Sequence, residues 1–277
     1  MKRIPAWQRL LNLVLVGIAL LFFLFPVYWM INTALKPPNE WLTNPPIFFP
    51  HHIYLTNFSQ ALIHWGGLKG LWDSLVVSVG ATALSLVAGV LGAYAIARYN
   101  VGGNNFSFFV LSVLFFPPVV VSIPMFQFWR SVNLIDTFPA MVVQYSSFTV
   151  PFVTWILKGF FEDLAIELEE SAMVNGATRW QAFWDVALPS VKGSVVATAL
   201  LAFIFSWNAF TFAVILSQGH ITTLPYILPT LMEGHYVLWG DIAAIATLAV
   251  VPIVVLAFVL QRYLVRGLSF GTIRESL

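Results

Sequence analysis

The 277-residue sequence lacks cysteine altogether, so neither disulfide bonds nor thiolate metal sites can form. Its five histidines do not show the spacing of metal ligands, and we expect them to lie in loops without a metal. No Gly-x-x-x-x-Gly-Lys-Ser/Thr sequence is present, which excludes a P-loop nucleotide site in this chain. Charged residues make up only 9% of the chain, against about 25% in soluble domains. This scarcity of charge excludes an ordinary soluble domain.

The composition is dominated by apolar residues. Hydrophobic residues account for 59% of the chain, and the mean hydropathy is +0.85. A helix needs about 20 apolar residues to cross a bilayer, and runs of that length predict an all-α membrane protein in which residues 1–277 form one transmembrane domain. The six predicted spans are 10–35, 74–97, 106–129, 138–157, 194–216 and 242–260. A seventh span over Ile221–Leu231 is disfavoured because Pro225 and Pro229 each remove a backbone donor.

The distribution of basic residues predicts the orientation of these spans. If the N-terminus lies inside, ten of the 13 Lys and Arg residues fall on the cytoplasmic side. Only Lys36, Lys69 and Arg130 fall outside. The sequence therefore predicts cytoplasmic N- and C-termini in the inner (plasma) membrane of a bacterium or archaeon.

Small residues recur every four positions in the second span, at Ala81, Ser85, Gly89 and Ala93. This spacing places them on one helix face, where small side chains let another backbone approach closely in lipid. The pattern favours tight helix packing. A helix that slides against its neighbours is the alternative interpretation.

The loop between the fourth and fifth spans, residues 158–193, carries six acidic and three basic residues. Asn175-Gly176 predicts the end of a first short helix, because glycine reaches the left-handed conformation without steric cost. Thr178 and Gln181 predict a capping box that starts a second helix, which Leu188-Pro189 is expected to end. Acidic and apolar side chains together indicate a partner with basic residues. An amphipathic hairpin lying on lipid is the alternative, although its net negative charge suits an anionic leaflet poorly.

This loop resembles the E-A-A-x-x-x-G loop of permease subunits of binding-protein-dependent ABC importers. The stretches that carry the resemblance are Glu170-Ser171-Ala172, Asn175-Gly176-Ala177 and Leu188-Pro189. The chain is similar, more specifically, to carbohydrate-importer permeases of the maltose type, in the smaller subunit's subfamily. Further matches span nearly the whole length, at Leu35–Pro37, Ala93–Arg98, Leu134–Thr137, Ser206–Asn208 and Gln261–Leu268. Ala209 departs from the acidic residue that many relatives have after Trp-Asn.

The resemblance implies a type I ABC importer permease fold and a transport subunit that is not itself an enzyme. It implies two ATP-binding partner subunits that hold ATP and Mg, a second permease subunit (expected to be a different chain) and an extracytoplasmic solute-binding protein. We expect surrounding membrane lipid and no nucleic acid. Residues 167–189 would form the coupling helix region that docks on the ATPase, and the tail Gly271–Leu277 would also reach it. The residues expected to carry coupling are Glu169, Glu170, Ser171, Ala172, Asn175, Gly176, Ala177, Thr178, Arg179, Leu188 and Pro189.

The fifth span contains the residues that we expect to line a substrate pathway: Phe205, Trp207, Asn208 and Phe210. Aromatic faces beside amide and hydroxyl groups suit a neutral polyhydroxy solute, a mono- or oligosaccharide or a polyol. Aromatic residues make up 16% of the chain, however, so these side chains could simply face lipid. Asn208 could equally form a helix–helix hydrogen bond.

Three other functions stay open from the sequence. An importer of the same class could move glycerol phosphate or another small solute, although the predicted spans contain no Lys or Arg to bind a phosphate ester. A secondary transporter or channel would not need the acidic helix–Gly–helix loop, and would usually contain an ionisable residue within a span. An integral-membrane enzyme would need a cluster of catalytic side chains, which the sequence does not suggest.

Overall fold

A computed structural model describes residues 6–232 and 237–269 of the chain, and its helices are connected without any strand in those ranges. The tail 271–277, which we expected to reach an ATPase, lies outside the described residues. The helices are α1 (Ala6–Ala34), α2 (Thr56–Ser59), α3 (Gly67–Tyr99), α4 (Gly103–Ser112), α5 (Pro118–Ser131), α6 (Phe138–Asp163), α7 (Glu167–Val174), α8 (Arg179–Ala182), α9 (Leu188–Ser190), α10 (Lys192–Trp207), α11 (Thr211–Leu216), α12 (Leu224–Thr230) and α13 (Trp239–Ser269).

Within residues 6–232 and 237–269, four helices are long and apolar enough to cross a membrane: α1, α3, α6 and α13. The number rises to six if each of two sharply bent helix pairs counts as one span. The first pair joins Gly103–Phe115 to Pro118–Ser131 at 92°, and the second joins Arg179–Ser190 to Lys192–Trp207 at 74°. The prediction of an all-helical, multi-pass membrane protein is confirmed.

Two of the six predicted spans are interrupted in the structure. The interval 106–129 contains the end of α4 and most of α5, and the backbone turns at Phe116, whose φ/ψ of −70°/125° is extended. Proline explains the turn, because Pro117 and Pro118 have no N–H to continue a helix and also disfavour helical backbone in the residue before them. The interval 194–216 likewise contains α10 and α11, with the helix broken between Trp207 and Thr211.

The chain divides into two compact units. One contains the first 68 residues with Ile227–Val251. The loop after α1 folds around Lys36, a fully buried side chain. Its Nζ donates to the carbonyl of Ile47 at 2.5 Å and lies 4.4 Å from the ring centroid of Trp29. Burial lowers the pKa of Lys36, and the nearby carboxylate of Glu40 opposes that shift. The loop is therefore held by specific contacts of a buried cation.

The second unit contains Lys69–Tyr226 with the chain from Pro252 on. Its core has two parts. One surrounds Met141 and Phe212, and the other surrounds Phe161 and Phe183. Both parts include residues of α3 and α6, so these two long helices form the frame on which the shorter helices pack.

The small-residue stripe of α3 is almost completely buried, with Ala81, Ser85 and Ala93 each 0% exposed. A Cβ atom added to Gly89 would lie 2.6 Å from Cγ1 of Val153 on α6. Ser146 of α6 also donates its hydroxyl proton to the carbonyl of Ala81, at 3.3 Å. The stripe therefore lies at a close contact between α3 and α6, as small residues allow in lipid.

We predict that Gly89→Ala lowers stability by about 1–3 kcal/mol, because the added methyl group overpacks a fixed contact with Val153. Thermal unfolding in detergent measures the effect. Gly92→Ala is the matched control on the same helix, since its Cβ would meet Thr154 only at 3.6 Å, an ordinary contact. Equal unfolding temperatures for the two variants would contradict the prediction.

Candidate functional site

The polar loop after α6 forms two short helical segments joined at Gly176. Helix α7 ends at Val174, and the side-chain amide of Asn175 donates to the carbonyl of Ser171 at 2.8 Å. Gly176 follows with a φ of +94°, a conformation that L side chains rarely adopt. The amide of Ala177 then donates back to the carbonyl of Ala172 at 3.1 Å. These bonds satisfy helix-end carbonyls and fix the direction of the next segment.

A capping box starts that segment. The amide of Gln181 donates to Oγ1 of Thr178 at 3.3 Å, and the amide of Thr178 donates to Oε1 of Gln181 at 2.8 Å. The segment widens into a π-helical turn over Phe183–Ala187 and ends with α9 at Ser190, one residue after the Leu188-Pro189 pair at which the sequence predicts its end. The chain then bends by 74° into α10.

The residues expected to carry coupling fall into three classes of exposure. Those with exposed side chains or backbone are Glu170, Ser171, Asn175, Gly176, Thr178, Arg179 and Pro189. The half-buried ones are Ala172, Ala177 and Leu188. Glu169 is buried, with 4% of its surface exposed. Its carboxylate therefore faces the protein, whereas that of the neighbouring Glu170 faces outward.

The buried carboxylate of Glu169 has two partners on α3. Nε of Arg98 lies 2.7 Å from Oε1 of Glu169, and the hydroxyl of Tyr94 donates to Oε2 at 2.5 Å. Arg98 also donates through Nη2 to the carbonyl of Leu164, at 2.8 Å. Sequence reasoning placed Tyr94 and Arg98 only in a family match and gave them no role, because their partner lies more than 70 residues away.

Large apolar side chains are exposed on the same helices. Leu168 and Val174 of α7 are 49% and 87% exposed, and Trp180 and Trp184 of the second segment are 59% and 49% exposed. Together with the exposed acids Glu167 and Glu170 they form a surface, here called the docking surface, that combines apolar area with negative charge. Exposed apolar area beside charge is surface that a partner or lipid would cover.

A cavity of about 470 Å³ lies beside the break between α10 and α11. It is lined by Phe205, Asn208 and Phe210, three of the four residues expected in the pathway. Trp207 is not among the lining residues. It is buried, 4% exposed, and its ring stacks on Phe203 with centroids 5.4 Å apart.

The break lies in the wall of this cavity, whose lining combines aromatic rings with the hydroxyl-bearing residues Thr149, Ser206 and Thr211. The hydroxyl of Tyr145 donates to the carbonyl of Ala209 at 3.1 Å, which satisfies one group freed by the break. The side chain of Asn208 donates one N–H to the carbonyl of Ile204 in its own helix, at 2.8 Å, rather than to another helix. The exposed amide of Asn208 keeps further donor and acceptor capacity. Irregular backbone at membrane depth occurs where it lines a cavity.

Three side chains hold the segment after α11 at the end of the unit opposite the docking surface, near the start of α3. The sequence did not predict this arrangement. Asp136 accepts from the amides of His220 and Ile221, at 2.7 and 2.9 Å. Asp73 accepts from the amide of Thr222 at 2.8 Å, and Ser74 accepts from that of Leu224 at 2.8 Å. We call these contacts the outer clasp, because the sequence predicts that this end of the unit lies outside the membrane. The only sequence signal was Asp136 in the family match Leu134–Thr137.

Comparison with known proteins gives a consistent result. Residues 81–270 match the family model described as "Binding-protein-dependent transport system inner membrane component". The sulfoquinovosyl glycerol transport system permease protein of Agrobacterium fabrum is 32% identical over 95% of this chain and 93% of its own. A diacetylchitobiose uptake system permease protein of Streptomyces coelicolor is 32% identical over 90% and 91%. In the crystal structure of a bacterial ABC transporter involved in import of the acidic polysaccharide alginate, one chain matches with a TM-score of 0.72 at 21% identity, covering 95% of this chain and 99% of that one.

We predict that Asp136→Asn loosens the outer clasp, because a neutral amide offers one acceptor where the carboxylate offers two charged ones. Loss of a charge-assisted hydrogen bond lowers the free energy of local opening by about 1.5–3 kcal/mol. Hydrogen exchange at the amides of His220 and Ile221 measures this change. Ser131→Ala is the control, since its hydroxyl bonds only to the carbonyl of Phe128 in its own helix. Unchanged exchange in Asp136→Asn would disprove the role of the clasp.

Proposed function

Since the chain belongs to the family of binding-protein-dependent transport system inner membrane components, we propose that it moves a carbohydrate through an ATP-driven importer. It is a multi-pass inner-membrane permease subunit. ATP and Mg are bound by two ATP-binding partner subunits, with which this chain assembles beside a second permease subunit. A solute-binding protein delivers the sugar to the outer face. The predicted cytoplasmic location of both termini, and the single transmembrane domain over 1–277, form part of this proposal.

The docking surface is the observation that carries the proposal. Four large apolar side chains and two acids are exposed on helices whose direction is fixed by Gly176 and by a capping box. A surface of this kind outside the membrane is stabilised when a partner covers the apolar area and supplies basic groups. Residues 167–189 thus have the properties of a coupling region that docks on an ATPase. A lipid surface fits less well, because the loop has more acidic than basic residues.

The cavity at the break of α10 and α11 supports a sugar as the solute. Its volume of about 470 Å³ lies in the usual range of about 300–1,000 Å³ for small-molecule sites. The rings of Phe205 and Phe210 offer apolar faces to sugar C–H groups, while Asn208 and Thr211 offer polar atoms to hydroxyls. Among the described residues that line the cavity, none is Lys or Arg, which argues against a phosphate ester such as glycerol phosphate. The relatives named for glycosides agree with this class.

The proposal is tested by purifying and reconstituting the whole complex. Affinity purification of the chain from its native membrane, followed by mass spectrometry, should recover a P-loop ATPase, a second permease and a binding protein. Reconstituted in vesicles, that complex should hydrolyse ATP in response to one of a panel of neutral disaccharides and not to glycerol 3-phosphate. A chain that is purified alone and transports without ATP would favour a secondary transporter or channel and overturn the proposal.

We predict that Gly176→Val abolishes stimulation of ATP hydrolysis by the loaded binding protein. Valine in the left-handed conformation costs at least about 1–2 kcal/mol, so the end of α7 should deform and misdirect the docking surface. The assay is ATPase activity of the purified complex at equal amounts of assembled protein. Gly159→Ala is the control, because this glycine lies within α6 with open space around it. Normal stimulation in Gly176→Val would contradict the coupling role of the loop.

We predict a different defect for Asn208→Leu: ATP hydrolysis remains stimulated, while the maximal import rate falls about 2- to 10-fold, the range for one lost hydrogen bond. The binding protein is kept loaded and saturating, so that only passage through the permease is compared. Gln127→Leu, which changes an exposed amide of α5 outside the cavity lining, is the control. Equal import by both variants would remove Asn208 from the pathway.

A further inference from the structure

We propose that Tyr94, Arg98 and Glu169 form a clamp that makes the docking surface move as one body with the inner end of α3. The inference rests on the proposed function and assigns a positioning role to three residues for which the family match implied either no role or direct docking. Glu169 in particular would act through α3 rather than by contact with an ATPase. The exposed acid at its side, Glu170, remains available to a partner.

The last two turns of α3 contact each part of the loop that follows α6. Arg98 binds the carbonyl of Leu164, at the end of α6, and the carboxylate of Glu169, in the first turn of α7. Tyr94 binds the other oxygen of Glu169, and its ring lies 4.7 Å from that of Phe183, in the second helical segment. The inner end of α3 is thus hydrogen-bonded to the first helical segment of the docking surface and in ring contact with the second.

Burial makes this connection stiff. The side chains of Arg98 and Glu169 are 7% and 5% exposed, and both carboxylate oxygens are engaged. Removing one partner would leave the other charge buried and unpaired, which is strongly unfavourable. The ion pair between Lys158 and Glu162 on α6 has a similar length of 2.7 Å, but its glutamate is 47% exposed. An exposed ion pair of that kind contributes little to stability, so it is a suitable control for the buried pair of Arg98 and Glu169.

An importer must couple its solute pathway to its ATPase, and the clamp lies between the cavity and the docking surface. Helix α3 is in close contact with α6 along the small-residue stripe, and α6 carries Tyr145, which lines the cavity and binds the broken helix. At its inner end, α3 holds the docking surface through Arg98 and Tyr94. A chain of packed and hydrogen-bonded groups therefore runs from the cavity to the docking surface, and contacts of this kind can carry coupling between two sites.

The experiment compares three variants in the complete complex: Glu169→Gln, the double variant Arg98→Met/Glu169→Leu, and the control Glu162→Gln. The double variant removes both charges, so no unpaired buried charge remains and assembly should be restored. Its direct links from α3 to Glu169 and to Leu164 are nevertheless absent. Import and ATP hydrolysis are measured per assembled complex, with the disaccharide of the panel that stimulates the unmodified complex most.

We expect import per ATP hydrolysed to fall about 2- to 30-fold in both clamp variants, the range for residues along a coupling route, and to stay unchanged in Glu162→Gln. A purely structural pair would lower only the amount of complex, and the double variant would then import normally per complex. That outcome would overturn the proposal.

Hydrogen exchange at the amides of Glu167–Val174 separates this inference from the proposed function. If the unmodified complex shows no disaccharide-dependent ATP hydrolysis, the proposed function fails, yet exchange still tests the clamp. We expect faster exchange of α7 in the double variant than in Glu162→Gln and the unmodified chain. Equal exchange in all three would show that Arg98 and Tyr94 do not hold α7, and would overturn the clamp.

Discussion

A backbone inside hydrocarbon finds no water to bond, and the arrangement of this permease depends on how that requirement is met. The long helices α1, α3, α6 and α13 meet it for most of their length, because interior N–H and C=O groups bond within a helix. Pro26, Pro151 and Pro252 each remove one backbone donor from these helices. Each interruption then needs a partner for the groups it frees. At the break after Trp207, the hydroxyl of Tyr145 provides one of them by binding the carbonyl of Ala209. The cavity proposed for the solute lies at this break, where irregular backbone is tolerated because it lines a cavity.

Carboxylates at the two ends of the second unit perform related tasks with different partners. Asp73 and Asp136 accept from backbone amides of the segment after α11, whereas Glu169 accepts from the side chains of Tyr94 and Arg98 on α3. In both places, a buried acid joins segments that are far apart in sequence. In the middle of the unit, close packing such as that of Gly89 with Val153 is joined by neutral hydrogen bonds such as that of Ser146 with the carbonyl of Ala81. The ends, which meet other proteins in the proposed importer, are fixed by charge and hydrogen bonds.

Local patterns predicted the local structure well. The glycine at 176 and the Thr178–Gln181 pair required only a few neighbouring residues, and the structure contains both the left-handed glycine and the capping box. Apolar run lengths likewise indicated the long helices. The turn at Phe116 and the break after Trp207 divide two runs that hydropathy alone treats as continuous. Only the first has a local cause in proline; the second follows no comparable signal in the sequence.

Contacts between residues far apart in the chain could not be predicted from the sequence. Glu169 and Glu170 are adjacent acids with the same local pattern, yet one is buried and the other exposed. The difference comes from Arg98, 71 residues earlier, and nothing in the spacing connects the two. Trp207 illustrates the same limit for the cavity. Its neighbours Phe205 and Asn208 line the cavity, while the buried ring of Trp207 stacks on Phe203. The rotation of the helix about its axis decides which side chain faces the cavity, and composition does not reveal that rotation.

The outer clasp binds the backbone of the segment after α11 and makes little use of its side chains. Asp136 and Asp73 accept from amides that every residue except proline possesses, so the path of the segment does not depend on which side chain stands at position 220. The side chain of His220 is exposed. Such a segment can change its chemistry over evolution while keeping its shape. An importer of this kind could acquire a new delivery partner by substitutions there, without rebuilding the helices beneath.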